Sequence, residues 1–313
     1  MVVIARDSPY GMLPLTGSSE PPRSPRCFMH IPKSAGMSFH ASLDAALAPG
    51  SLCPRRMDSS TFCDFHDFDL LQPATRELIA ANYDEIGSMR RFPAISGHFT
   101  LTSLLQITQA SAIGTILREP RARVLSLYMY WRIPKIFDHV LPYSVEEYAL
   151  KPLAAFLSES RLAPAIDNQV CRMLLYRDPR IPCNAFIAKA DVEEVAVDAI
   201  KRLDTLGFVG VLELGSSAWE GLARLFGVRL DPRKVNVTAE LGDSMVAQPR
   251  EKLFTADAID LIEKRNAADR IVYDHALEVA GIEHDERPQF EDAAFHAQLS
   301  RTQDPMGDSY AKD

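Results

Sequence analysis

Apolar and polar positions alternate in blocks that switch between strand-like and helix-like periods. Cys27 to Ile31 (CFMHI) is a short, mostly apolar run of the kind a buried strand shows. The turn PKSAGMS follows it. Phe39, Leu43 and Leu47 then recur every four residues, which predicts a helix with its apolar stripe inward, stopped by Pro49-Gly50. Ala94 to Phe99 (AISGHF) reads as a second strand, and Leu101 to Ile107 as a helix. Ala112 to Leu117 (AIGTIL) reads as a third strand, ending at Arg118. Pro120 suits the first position of the next helix, on which Val124, Leu127, Tyr128 and Trp131 form one face. Ser144 with Glu147 has capping-box spacing. Residues 191–206 are strongly amphipathic, and Phe208 to Glu213 (FVGVLE) reads as a fourth strand. Ser216 to Phe226 reads as a helix ended by Gly227, and Thr255 to Ala280 as one long helix. Strands that alternate with helices predict an α/β fold with a largely parallel sheet covered on both faces.

The ends of the chain break this pattern. Residues 1–25 are rich in Pro, Ser and Gly and read as a flexible N-terminal arm. Residues 284–313 are polar and mixed, and read as a tail or loosely packed arm. That leaves one α/β domain over 26–283. Between its strands, 51–91 and 132–170 are irregular, and aromatics clustered in and beside them (Phe62, Phe65, Phe68, Trp131, Phe137, Tyr143) suit the walls of a substrate pocket, or simply a core.

The balance of 34 basic against 42 acidic residues, net −8, argues against a nucleic-acid partner and against a polybasic membrane anchor. It leaves open a local basic pocket for a small anion. No apolar run approaches the ~18 residues of a membrane span. Arg6 to Pro9 interrupt any signal-peptide core, so the expected location is cytoplasmic. Five cysteines without a CxxC pair (Cys27, Cys53, Cys63, Cys171, Cys183) read as buried hydrophobes or free thiols; Cys53 and Cys63 would pair only in an oxidising compartment. No metal site is indicated.

The strongest chemistry lies between the first strand and the first helix. Ser34, Ala35 and Gly36 are small enough for backbone N–H groups to converge on one point, and the helix start adds partial positive charge. Together they suit a phosphate. Lys33 supplies a cation at the edge, and Ser34 and Ser38 supply hydroxyls. The spacing differs from the GxxxxGK[ST] loop of nucleoside triphosphatases, because Lys33 precedes the glycine. The plainer reading is a strand-to-helix turn with a surface lysine.

The segment HIPKSAGMSF, from His30 to Phe39, resembles the 5′-phosphosulfate-binding loop of sulfotransferases, in the branch of Golgi carbohydrate sulfotransferases and their bacterial relatives. The resemblance implies a P-loop-like three-layer fold and the donor 3′-phosphoadenosine 5′-phosphosulfate (PAPS), released as 3′,5′-ADP. It implies a donor site made by Lys33, Ser34, Ala35, Gly36, Met37 and Ser38, with Lys33 on the oxygen that bridges phosphate and sulfate. TILREPRARVLSLYMYW, from Thr115 to Trp131, resembles the family's 3′-phosphate site, with Arg118 and Ser126 at the matching positions, eight residues apart. A guanidinium can hold two phosphate oxygens in a planar fork. The plainer reading of Arg118 is a pair with Glu119 or with solvent. Arg121, Arg123, Arg132 and Lys135 add charge nearby, or form a solvated helix face. Softer resemblances follow at Asp167-Asn168-Gln169 with Arg172, at FVGVLE, at Asn236-Val237-Thr238 and at NAADRIVYDHA (266–276).

Sulfuryl transfer to a hydroxyl needs a base, an in-line geometry and stabilisation of the leaving phosphate. His98, at the end of the second strand, is the expected base; His66, Asp64 and Glu119 are its rivals. His30 and His40 read as packing or loop support. The expected acceptor is a carbohydrate or small-molecule hydroxyl, with no metal needed. Two other readings remain open: a nucleotide or small-molecule kinase with a variant phosphate loop, and a non-catalytic nucleotide-binding relative. Oligomeric state is not readable.

Overall fold

The structure is a computed structural model that describes residues 24–58, 86–132, 150–231 and 255–303. Four strands, β1 (Arg26–Met29), β2 (Ala94–Gly97), β3 (Ile113–Leu117) and β4 (Phe208–Val211), form one parallel sheet in the order β2-β1-β3-β4. Cys27 stands opposite Ile95 on one side and Ile113 on the other. β1 is therefore central, and the chain crosses over it between β2 and β3. Ligands of open α/β sheets bind at the carboxyl ends of such strands, where the connections diverge.

The sheet is apolar on both faces, as parallel sheets with helices on each side must be. Cys27, Met29, Ile95, Ile113 and Leu117 pack into one core with α6 (Gln169–Leu174), α7 (Val192–Leu203) and α10 (Ala267–Val279). Phe28 and Ile116 point the other way, to Phe39 and Leu43 of α1 (Gly36–Ala46) and Leu222 of α8 (Ser216–Phe226). A third cluster joins α3 (Pro120–Tyr130) to α4 (Leu153–Ser158) and α9 (Ala256–Arg265). The remaining helices are α2 (Leu101–Leu104), α5 (Ala163–Ile166) and α11 (Arg287–Gln303).

Several expectations are corrected. The strands are shorter than their apolar runs: β1 ends at Met29, β2 at Gly97, and β4 turns into a 3-10 turn at Leu212–Leu214. The regular part of the Leu101–Ile107 helix is confined to Leu101–Leu104. The long helix over 255–280 is two, α9 and α10, broken at Asn266. The Asn168 side chain enters there: its Oδ1 accepts from Ala268 N (2.8 Å) and Asp269 N (3.1 Å), so a new helix starts instead of the old one continuing. The segment read as a loose tail holds α11, which packs along α3; Arg121 meets Asp292 (3.2 Å) and the Phe295 ring, and Arg270 meets the buried Glu291 (3.0 Å). Its apolar and ionic contacts are widely spaced, which is why composition alone read as a tail. Cys27, Cys53 and Cys171 are buried free thiols, so no Cys53–Cys63 pair forms; Cys183 is disulfide-bonded, against the expectation of free thiols throughout. No helix of the described residues is long and apolar enough to cross a membrane. The arm over 1–23, Cys63, Asp64, His66, Lys135, the Ser144–Glu147 box, the pocket aromatics Phe62, Phe65, Phe68, Phe137 and Tyr143, and Asn236–Thr238 lie outside the described residues.

Candidate functional site

The loop from β1 to α1 is wound around one imidazole. His30 N donates to Gly97 O (2.9 Å), and the buried His30 ring stacks on Phe28 (5.8 Å between centroids) and on His98 (4.2 Å). Gly36 lies against this ring so closely that a Cβ there would fall inside it. Lys33 (φ 69°) and Ala35 (φ 56°) adopt the left-handed conformation without being glycine. Each such residue costs about 1–3 kcal/mol and persists only where its surroundings enforce it. The start of α1 has no side-chain cap and no acidic residue in its first turn. Ser34 Oγ, in a residue 1% exposed, has no hydrogen-bond partner. An uncapped helix start beside an orphaned buried hydroxyl is suited to an anion.

Cations approach from the β3 side. The Lys33 ammonium is half-buried over the Tyr130 ring (3.8 Å to its centroid), and burial, with Arg118 adding to it, lowers its pKa to about 7. Arg118 follows β3. Its Nη1 donates to Lys33 O (3.0 Å) and its Nη2 to Gln298 Oε1 of α11 (2.7 Å). Arg118 thus pairs with the loop and with α11. Glu119 instead caps α3 through Ala122 N (2.7 Å) and binds Arg121 (2.6 Å), which occupies it structurally rather than as a base. Arg123, Ser126 and Tyr130 fall at i, i+3 and i+7, one stripe of α3, and Tyr130 faces the loop. Ser126 is buried on that stripe. Arg123 is 0% exposed; its Nη2 donates to Ala165 O (3.1 Å), while Nε and Nη1 have no partner. Burial, with a smaller push from Arg118 and against the pull of Asp269, lowers its pKa to about 10.

On the β2 side, His98 Nδ1 lies 2.8 Å from His30 O. That carbonyl can only accept, so Nδ1 carries the proton and the lone pair sits on Nε2. Burial lowers the His98 pKa to about 4; the bond to His30 opposes this, and Arg56 and Lys33 add to it. Arg56 was missed in the sequence. Residues 51–58 run beside β2, with Asp58 N donating to His98 O (3.0 Å) and His98 N to Arg56 O (2.6 Å). Gly97 permits this approach, since a Cβ there would strike the Arg56 backbone. The Arg56 side chain crosses to α1, where its Nη2 meets Met37 Sδ (3.1 Å), a weak acceptor for a guanidinium. No contiguous motif marks Arg56; only the edge pairing with β2 brings it in. His40 is on the same helix, and burial lowers its pKa to about 4, with Arg56 adding to this.

The loop residues 33–38, Arg118 and His98 thus lie at the carboxyl ends of β1, β2 and β3, and Ser126 shares the α3 stripe of Tyr130. The soft motif at 167–172 is structural in its geometry. Asp167 binds Arg172 (2.6 Å) and Ile187 N (3.0 Å), and Asp269 accepts from Val170 N and Cys171 N (2.9 Å each). Only Gln169 there has both polar side-chain atoms buried without a partner. Among the described residues no cluster of His, Cys, Asp and Glu suits a metal ion. No family model and no curated protein matches the chain.

Proposed function

We propose that this protein is a sulfotransferase of P-loop-like fold that uses PAPS and a hydroxyl acceptor, a carbohydrate or a small molecule. One observation carries the reading: an uncapped helix start with the orphaned Ser34 Oγ, beside Lys33, whose carbonyl accepts from Arg118. The resemblance of His30–Phe39 and Thr115–Trp131 to the family's two phosphate sites gives that anion its identity.

In this reading the loop amides and the Ser34 and Ser38 hydroxyls hold the 5′-phosphate, and Arg118 with Ser126 holds the 3′-phosphate. The donor supplies a sulfuryl group on an activated phosphate. His98 Nε2 takes the proton of the acceptor hydroxyl. Lys33 leaves Tyr130 for the bridging oxygen and stabilises the charge that develops there. Burial, with Arg56 and Lys33 adding to it, holds the His98 pKa at about 4. A bound anion offsets both cations and raises that value toward the range where a base is efficient.

The test is calorimetric titration with 3′,5′-ADP and with ATP·Mg²⁺, followed by a PAPS-coupled assay over hydroxyl acceptors. Micromolar binding of the first ligand alone supports the reading, and the reverse result favours a kinase. In the assay, Lys33→Ala and His98→Ala each lower turnover by about 100-fold or more. Wild-type turnover in either variant removes that residue's role.

A further inference from the structure

Resting on the donor reading above, we propose that Gln298 belongs to the 3′-phosphate site as the residue that positions Arg118, so that α11 is part of the donor site. Gln298 comes from the opposite end of the chain, 180 residues from Arg118, and is buried. Its Oε1 accepts from Arg118 Nη2 at 2.7 Å while Lys33 O accepts from Nη1 at 3.0 Å. Two neutral acceptors thus fix the plane of the guanidinium, one on the loop and one on α11. The carboxamide and the carbonyl orient the guanidinium without adding a charge of their own.

α11 is anchored well enough to serve as such a support. Arg121 bonds Asp292 (3.2 Å) with its guanidinium over the Phe295 ring (4.7 Å to the centroid). Arg270 bonds the buried Glu291 (3.0 Å). These contacts flank Gln298 on the N-terminal side, along the length of α3, which carries Ser126. The arrangement makes the site depend on a segment whose composition reads as a tail.

The test uses the full chain and two ligands that differ only in the 3′-phosphate, 3′,5′-ADP and 5′-AMP. Wild type should bind 3′,5′-ADP about 100-fold more tightly than 5′-AMP. Gln298→Ala should lower that ratio about fivefold. Gln298→Glu keeps the bond to Arg118 but places a negative charge beside the phosphate, and should bring the ratio to about one. Affinity for 5′-AMP should move less than about twofold in each. Gln298→Met, which fills the same volume without polar atoms, should follow the alanine variant, and thermal melts identify any variant that fails to fold. Variants that weaken both ligands equally, or neither, overturn the role of Gln298 and leave the donor reading intact. A wild-type ratio near one removes the 3′-phosphate site itself.

Discussion

Two buried polar constellations in this chain use similar residues to opposite effect. In the first, Asn168 caps α10 and Asp269 caps α6, so each helix start is closed by a side chain from the other. Asp167 and Arg172 close the rest, with Arg172 also bonding Pro182 O (2.6 Å) and Ala185 O (3.0 Å). None of these four side chains has a buried atom without a partner, although both polar atoms of neighbouring Gln169 and Asn266 Oδ1 lack one and Asn168 is itself left-handed (φ 45°). In the second, the loop over 30–38, the helix start has no cap, Ser34 Oγ has no partner, and two non-glycine residues are left-handed. Satisfied networks rigidify a fold; unsatisfied ones persist where something else is to be bound. The comparison separates helix starts that distant side chains close from a helix start that no side chain closes, which the donor reading assigns to a ligand.

The comparison can be broken by substitution. The largest effect is expected for Asp269→Ala, which leaves two buried N–H groups and Arg123 uncompensated. It should cost about 3–5 kcal/mol in urea unfolding. A cost below about 1 kcal/mol would mean that the interlock is not what holds α6 to α10. Gly36→Ala drives a methyl group into the His30 ring and should cost about 1–3 kcal/mol while abolishing measurable 3′,5′-ADP binding. Ser34→Ala sharpens the contrast most directly. It removes an unsatisfied hydroxyl, so stability should hold or rise by up to about 1 kcal/mol, while 3′,5′-ADP binds about tenfold more weakly. A loss of stability with binding intact would place Ser34 with the interlock instead.

Two smaller effects concern protons. Lys33 has a folded pKa of about 7, below its ordinary value, so the unfolded chain holds more protons between that pH and the ordinary lysine range. Its contribution to stability therefore rises with pH across that window. Anion binding reverses the shift, so 3′,5′-ADP should bind with proton uptake at about pH 8, read as a buffer-dependent enthalpy, and more weakly at higher pH. Lys33→Met should abolish the buffer dependence. Arg56→Gln removes a cation that depresses His98, so the His98 pKa should move up from about 4 in an NMR titration. An unchanged value would separate Arg56 from the site.

The sequence made the loop readable because its chemistry is contiguous. His30 to Phe39 is a strand end, small residues and a helix start in one stretch, and Arg118 to Ser126 is another. The four strands and their parallel direction followed from the alternation of apolar blocks, whereas their order in the sheet is set by tertiary pairing. What was hidden is what depends on distant partners. Asn168 breaks the long helix from 98 residues before Asn266, and no local signal at 266 announces it. Arg56 reaches the site only because 51–58 run beside β2. Gln298 does so only because α11 packs along α3. Glu119 was a rival base on sequence, but its carboxylate is taken up by Ala122 N and Arg121. Local periodicity sees neighbours, whereas these roles are set by tertiary contact.

The contact between His30 and Gly36 has a consequence for how this loop can change over time. A side chain at position 36 is admissible only once the ring at position 30 has become smaller, while a smaller residue at 30 leaves position 36 free. Exchange at the pair therefore has an order: the histidine goes first. Among diverging copies of this chain, a glycine at 36 without an imidazole at 30 is an accessible intermediate, and an imidazole at 30 facing a bulkier residue at 36 is a dead end.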